Sequence, residues 1–188
     1  MVEKTVLYFD EPGEANTQAC IDLVKKEVED NGYKYVVVAS DSGATGLEFA
    51  KALNEMDAEI YVVKYAKGEG STADLSDEMK KELADNKATF FGSPSISMSI
   101  DGSFGLKLAP MGPSKIVTAT LKLFGIGLKE CCEIIMMATD KGLLTQGVEA
   151  IAVAGTKSGA DTVAVIRASS SMRFKELKVK EILAKPRG

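Results

Sequence analysis

Two short stretches hold the residue types best suited to chemistry. In YVVVASDSGATGLEFAKAL, residues 35–53, Ser40, Ser42 and Thr45 place hydroxyls close together with Gly43 among them. Hydroxyl donors, a glycine that lets backbone approach a ligand, and the unpaired first amides of a following helix, here around Ala44, bind an anion without a cation. The plainer alternative is a helix start capped by Ser40, Asp41 or Ser42. In EAIAVAGTKSGADTVAVI, residues 149–166, Gly155, Thr156, Lys157, Ser158 and Gly159 separate two apolar runs. Alone, this stretch reads as a glycine-containing turn between strands. Beside the first loop it closes the other side of a phosphate site, with Lys157 adding charge. Asn16 and Thr17 either reach the same rim or cap a helix. Asp161 and Thr162 join the site or fix the turn into the next strand.

What the chain lacks is as informative. It has 188 residues and no histidine, which removes histidine acid–base chemistry, His-activated nucleophiles and the common zinc sites. Cys20, Cys131 and Cys132 show neither metal-ligand nor redox spacing and read as buried small hydrophobes, so no metal is expected. Any catalysis would rest on groups such as Lys157, Asp161, Asp140 or Lys141, or on a cofactor. Asp140 and Lys141, just before Gly142, also fit a helix end. A formal charge of −4 gives no general attraction to nucleic acid or anionic membrane. No stretch reaches transmembrane length and the first residues lack a long signal-type core, so a cytoplasmic protein is expected. The locally basic tail, Arg173 to Arg187, reads as a solvated strand and helix end.

The elements that must position these loops alternate. Strands are predicted at Thr5–Phe9, 35–39, Glu59–Val63 and Ala88–Phe91, and at Ile151–Ala154 and Val163–Ile166. Helices are predicted from about Ala15 to Asp30, stopped by Gly32; from the serine-rich loop to Leu53; and from Ser76 as cap to about Asn86. Further helices cover Ser114–Phe124 and Leu128–Lys141, separated by Gly125 and Gly127. The run CCEIIMMA is apolar nearly all round, so the last helix is expected to be sandwiched. Residues 92–113, rich in Gly, Ser and Pro, fit either a lid or a hairpin around Asp101 and Gly102. Strand–helix alternation points to a single domain over 1–188 with a parallel sheet and crossover helices.

The loop Ser40, Ser42, Gly43, Thr45 matches a T/S-x-S-G-x-T motif, and with the strands on either side the chain resembles the C-terminal α/β domain of pyruvate kinase. It is more closely similar to stand-alone, mainly archaeal, functionally uncharacterised proteins that carry that domain name. The shared segments are Pro12, Gly13, Asn16 and Thr17; Met137, Ala138, Asp140, Gly142 and Leu143; the GADT stretch; and EILAKPR at 181–187. The chain departs from the pattern in GSPSISMSIDGSFG, where relatives carry a histidine and basic residues. The resemblance implies a three-layer α/β/α sandwich with a mostly parallel sheet and core strand order 3-2-1-4-5, in which the strands at 35 and 151 are neighbours. It implies no pyruvate kinase activity, because the catalytic barrel has no counterpart here. It also implies that flavin mononucleotide (FMN) can occupy the crevice. With no Trp and 6% aromatics, an isoalloxazine ring would rely on Met, Phe or aliphatic contacts.

The expected partner is therefore a phosphorylated small molecule: a nucleotide, FMN or a sugar phosphate. A flavin- or lysine-dependent enzyme and a regulatory or assembly protein without catalysis remain open alternatives, as does a homo-oligomer.

Overall fold

The structure, a computed structural model, describes residues 3–65, 74–93, 96, 100 and 112–187. Strands are β1 (Leu7–Phe9), β2 (Tyr35–Ala39), β3 (Glu59–Tyr65), β4 (Ala88–Ser93), β5 (Glu149–Ala154), β6 (Thr162–Arg167) and β7 (Lys178–Pro186). Helices are α1 (Thr17–Asn31), α2 (Ala44–Leu53), α3 (Asp77–Asp85), α4 (Pro113–Lys122) and α5 (Ile126–Asp140), with short 3₁₀ turns at Glu14–Asn16 and Ser171–Glu176. The fold is α/β, with a seven-stranded, mostly parallel sheet in the order β1-β7-β6-β5-β2-β3-β4. β6 is the exception, antiparallel to both its neighbours.

The valine run of β2 explains the layering. Alternate side chains leave a strand on opposite faces, and Val36, Val37 and Val38 are all fully buried, so both faces must be covered. Val36 and Val38 pack with Val24 of α1, Phe49 and Leu53 of α2 and Leu83 of α3. Val37 packs on the other side with Ile134, Ile135 and Met136 of α5. On that second face the sheet offers small residues, Ala150, Ala152 and Ala164, which let α5 settle close enough for the Cys131 thiol to donate to the Ala152 carbonyl at 3.5 Å. Val117 and Leu121 of α4 cover part of the outer side of α5. That is why α5 is apolar nearly all round, as its sequence led us to expect.

Local signals place several ends. Gly32 caps α1 in the left-handed region at φ 68°, and the Ser76 hydroxyl accepts from the Met79 amide at the start of α3. Two expectations need correction. Gly127 does not interrupt a helix: α5 begins at Ile126, and Gly127 lies inside it because a Cβ there would fall 2.1 Å from Thr162 Oγ1. The tail is a strand and is exposed at Lys178, Val179 and Lys180, but it is not solvated throughout: β7 lies between β1 and β6, with Leu183 and Ala184 buried. The choice between lid and hairpin for 92–113 falls on residues that lie mostly outside those described.

Candidate functional site at the carboxyl ends of β2 and β5

β2 and β5 are parallel neighbours, with Val36 beside Ile151 and Val38 beside Val153. The loops that follow them therefore leave the same edge of the sheet side by side. Between them lies a cleft of about 310 Å³, lined by Ala39, Ser40, Asp41, Ser42 and Thr45 on one side and Gly155, Lys157, Ser158 and Gly159 on the other, with Glu130 of α5 completing it. Carboxyl ends of parallel strands, where the sheet changes connection, are the usual ligand position in open α/β folds.

The first loop keeps polar groups unspent. The Ser40 amide donates to the Val63 carbonyl at 2.9 Å, holding Ser40 against β3. Its hydroxyl is buried and has no hydrogen-bond partner. Ser42 Oγ accepts from the Ala44 amide at 3.3 Å. The first bond within α2 runs from the Leu47 amide to the Gly43 carbonyl at 2.9 Å, so the amides of Ala44, Thr45 and Gly46 precede the helical ladder and present its positive end. Gly43 itself does not face the cleft. It holds φ +88°, and a Cβ on it would fall 2.4 Å from Met79 Cγ and 3.0 Å from Leu75 Cδ1. Its role is to turn the chain against α3 rather than to admit a ligand, and neither it nor Ala44 lines the cleft.

The second loop is the reverse. β5 and β6 are antiparallel, so residues 155–161 close a hairpin in which the Thr156 and Ala160 amides, the Ser158 hydroxyl and the Asp161 carboxylate are already engaged. The Asp161 carboxylate, fully buried, accepts from the Gly13 amide at 3.0 Å, the Thr156 amide at 2.9 Å and the Thr162 hydroxyl at 2.8 Å. The Ala160 amide donates to Thr17 Oγ1 at 3.0 Å, and Ser158 Oγ to Glu14 at 3.1 Å. Asn16 sits at the cap position of α1 without capping it, donating to the Glu11 and Gly13 carbonyls instead. Thus Thr17, Asp161 and Thr162 hold the hairpin in place, Asn16 braces the turn before α1, and none of these four candidates from the sequence lines the cleft. Thr156 turns to a separate cavity on the far side of the loop. Burial, with the Asp161 charge adding to it, pushes the neighbouring Cys20 thiol up to about 12.

Sequence reasoning missed Glu130 and gave Ser158 no role. The only sequence signal for Glu130 was a charged residue next to a helix run that is otherwise apolar. Asp140 is spent elsewhere, accepting from the Ser171 amide at 2.9 Å at the opposite end of α5, and Lys141 is an exposed residue at that same end. Burial also pushes Cys132 up to about 12 and Cys131 well above the ordinary thiol value, which leaves none of the cysteines suited to nucleophilic work near neutral pH. Among the described residues no cluster of three or more His, Cys, Asp or Glu is placed to hold a metal ion, and no helix is long and apolar enough to cross a membrane. No protein-family model matches the chain.

Proposed function

We propose that the cleft binds a phosphorylated small molecule, with its phosphate at the amino end of α2 and its remainder toward Lys157 and Glu130. The observation that carries this reading is Ser40 Oγ, a buried hydroxyl without a partner, beside the Thr45 and Gly46 amides at the start of α2. Thr45 and Ser42 add hydroxyls, and Lys157 reaches from the opposite loop. Asp41 and Glu130 also line the cleft, Glu130 with Lys129 Nζ 3.9 Å from its carboxylate, so the cleft is not uniformly positive and suits a phosphate that carries hydroxyls, as on a ribose or another polyol, better than a bare dianion.

The strand run β4-β3-β2-β5-β6, counted from β2, reads 3-2-1-4-5. This supports the resemblance to the C-terminal domain of pyruvate kinase, though not that enzyme's activity. FMN fits in part. The described lining suits its phosphate and ribityl hydroxyls, and contains no aromatic or large aliphatic side chain to cover an isoalloxazine ring. An enzyme reading has less support, because of its candidate groups only Lys157 lies in the cleft.

Ser40→Ala tests the proposal directly. Removing a buried hydroxyl that lacks a partner leaves the melting temperature of the ligand-free protein unchanged or raises it. Affinity for a phosphate probe falls about tenfold or more, the worth of a hydrogen bond to a charged group. Adenosine monophosphate, FMN, glucose 6-phosphate and inorganic phosphate are titrated calorimetrically, and the organic phosphates should bind more tightly than phosphate alone. Undiminished affinity in the folded variant, or no binding of any of these probes to the wild type, overturns the reading.

A further inference from the structure

Behind the glycine hairpin lies a second cavity of about 280 Å³, and we propose that it binds an organic anion, a carboxylate or phosphate carrying a short apolar group. It is separate from the cleft: Thr156 lines the cavity while Gly155 and Lys157 line the cleft. Lys122, Lys185 and Arg187 converge on it, and no acidic residue is among its lining. Among the described residues none of these cations forms an ion pair, although Asp and Glu outnumber Lys and Arg in the chain by 27 to 23. The nearest carboxylate, Asp161 behind Thr156 and Gly127, is spent on backbone amides and the Thr162 hydroxyl, so the cations gathered around the concave surface repel one another, and an anion relieves that repulsion.

Their placement is defined by backbone and ring contacts. The Arg187 amide donates to the Phe9 carbonyl at 2.9 Å, and Lys185 Nζ lies 5.9 Å from the centre of the Tyr8 ring. The amino end of α5 opens on the same cavity. Its first internal bond runs from the Lys129 amide to the Gly125 carbonyl at 3.2 Å, its first turn holds no acid, and no side chain caps it. The amides of Ile126 and Gly127 thus add to the positive potential that the side chains establish.

The apolar component of the ligand follows from what else faces the cavity. Leu123 is 83% exposed and Ile126 39% exposed, and both line it with Pro12 and Pro186. A few polar anchors set in an apolar wall is the usual composition of a small-molecule site. A bare inorganic anion would leave that wall wet.

Backbone amide NMR resonances of the full chain, followed while butyl phosphate, hexanoate or inorganic phosphate is added, test the proposal. Saturable shifts are expected at Ile126, Gly127 and Thr156 with butyl phosphate or hexanoate; whichever of the two binds more tightly identifies the head group. Inorganic phosphate should bind more weakly. The double variant Lys185→Glu/Arg187→Glu, with charges reversed on the surface, should keep the wild-type melt and lose affinity at least about tenfold. Ser40→Ala should leave these shifts intact, so failure of the cleft reading and failure of this one are distinguishable. No saturable shift at these amides, undiminished shifts in the folded charge-reversed variant, or responses that follow ionic strength alone would overturn the site. Inorganic phosphate binding as tightly as butyl phosphate would overturn the role of the apolar wall.

Discussion

The two loops at the cleft are built from the same small vocabulary of glycine, serine and threonine and leave neighbouring strands on one edge of the sheet, yet they do opposite work. The hairpin 155–161 has its hydrogen-bonding capacity drawn inward by Asp161, Thr17 and Glu14. The loop 40–43 and the start of α2 leave the Ser40 hydroxyl and the Thr45 and Gly46 amides unspent. Glycine and hydroxyl content therefore does not mark a ligand loop. What separates the two loops is polar capacity that the protein itself does not consume.

The comparison breaks first if the hairpin tolerates loss of its centre. Asp161→Ala strands the Gly13 and Thr156 amides and the Thr162 hydroxyl, with an expected loss of about 3–5 kcal/mol in urea unfolding. A loss below about 1 kcal/mol would show that the hairpin is not held as described. Next in size is Gly43→Asp, which forces a side chain into the left-handed region and against Met79. The expected cost is about 2–3 kcal/mol, and Met79→Ala should recover part of it in a double-mutant cycle because it relieves the contact but not the backbone strain. If folding is unaffected and only phosphate affinity falls, Gly43 faces a ligand after all.

Alkaline pH sharpens the contrast, because a shifted thiol lies against the hairpin. Cys20 donates to the Ala160 carbonyl at 3.6 Å, and its folded value of about 12 exceeds an ordinary value near 9. The buried form is the neutral thiol, so its contribution is fully present below pH 9 and is lost as pH rises toward 12. The slope is about 1.4 kcal/mol per pH unit for this group. Unfolding measured from pH 8.5 to 10.5 should steepen accordingly, and Cys20→Ala should reduce the slope, whereas Ser40→Ala should not. The smallest stability effect belongs to the open loop. Thr45→Val should shift stability by about 0.5 kcal/mol or less and Ser42→Ala, which removes the acceptor of the Ala44 amide, by about 0.5–1 kcal/mol, while each weakens adenosine monophosphate binding about tenfold, as read by calorimetry.

Much of the frame was legible because it is local. The valine run of β2, the Ser76 cap, the Gly32 stop and the apolar circumference of α5 are each decided by residues a few positions apart, where propensity and periodicity operate. Placing the strands at 35 and 151 together needed the family resemblance, and the pairing is present. Gly127 was misread because its reason is contact with Thr162 on another element rather than backbone conformation. The tail was legible as a strand, but its burial at Leu183 and Ala184 was not, because the neighbouring strands β1 and β6 lie elsewhere in the chain.

The sequence by itself determined that histidine chemistry is absent, that a strand–loop–helix with a hydroxyl-rich turn exists, and that one helix is buried on most sides. Only the tertiary structure decided which glycine loop carries the unpartnered hydroxyl, that Glu130 joins the cleft and that Thr156 turns away from it. The physical reason is distance along the chain. Whether a donor is spent depends on partners such as Gly13 and Asp161, 148 residues apart, or Thr17 and Ala160, 143 apart, and no local pattern records who those partners are.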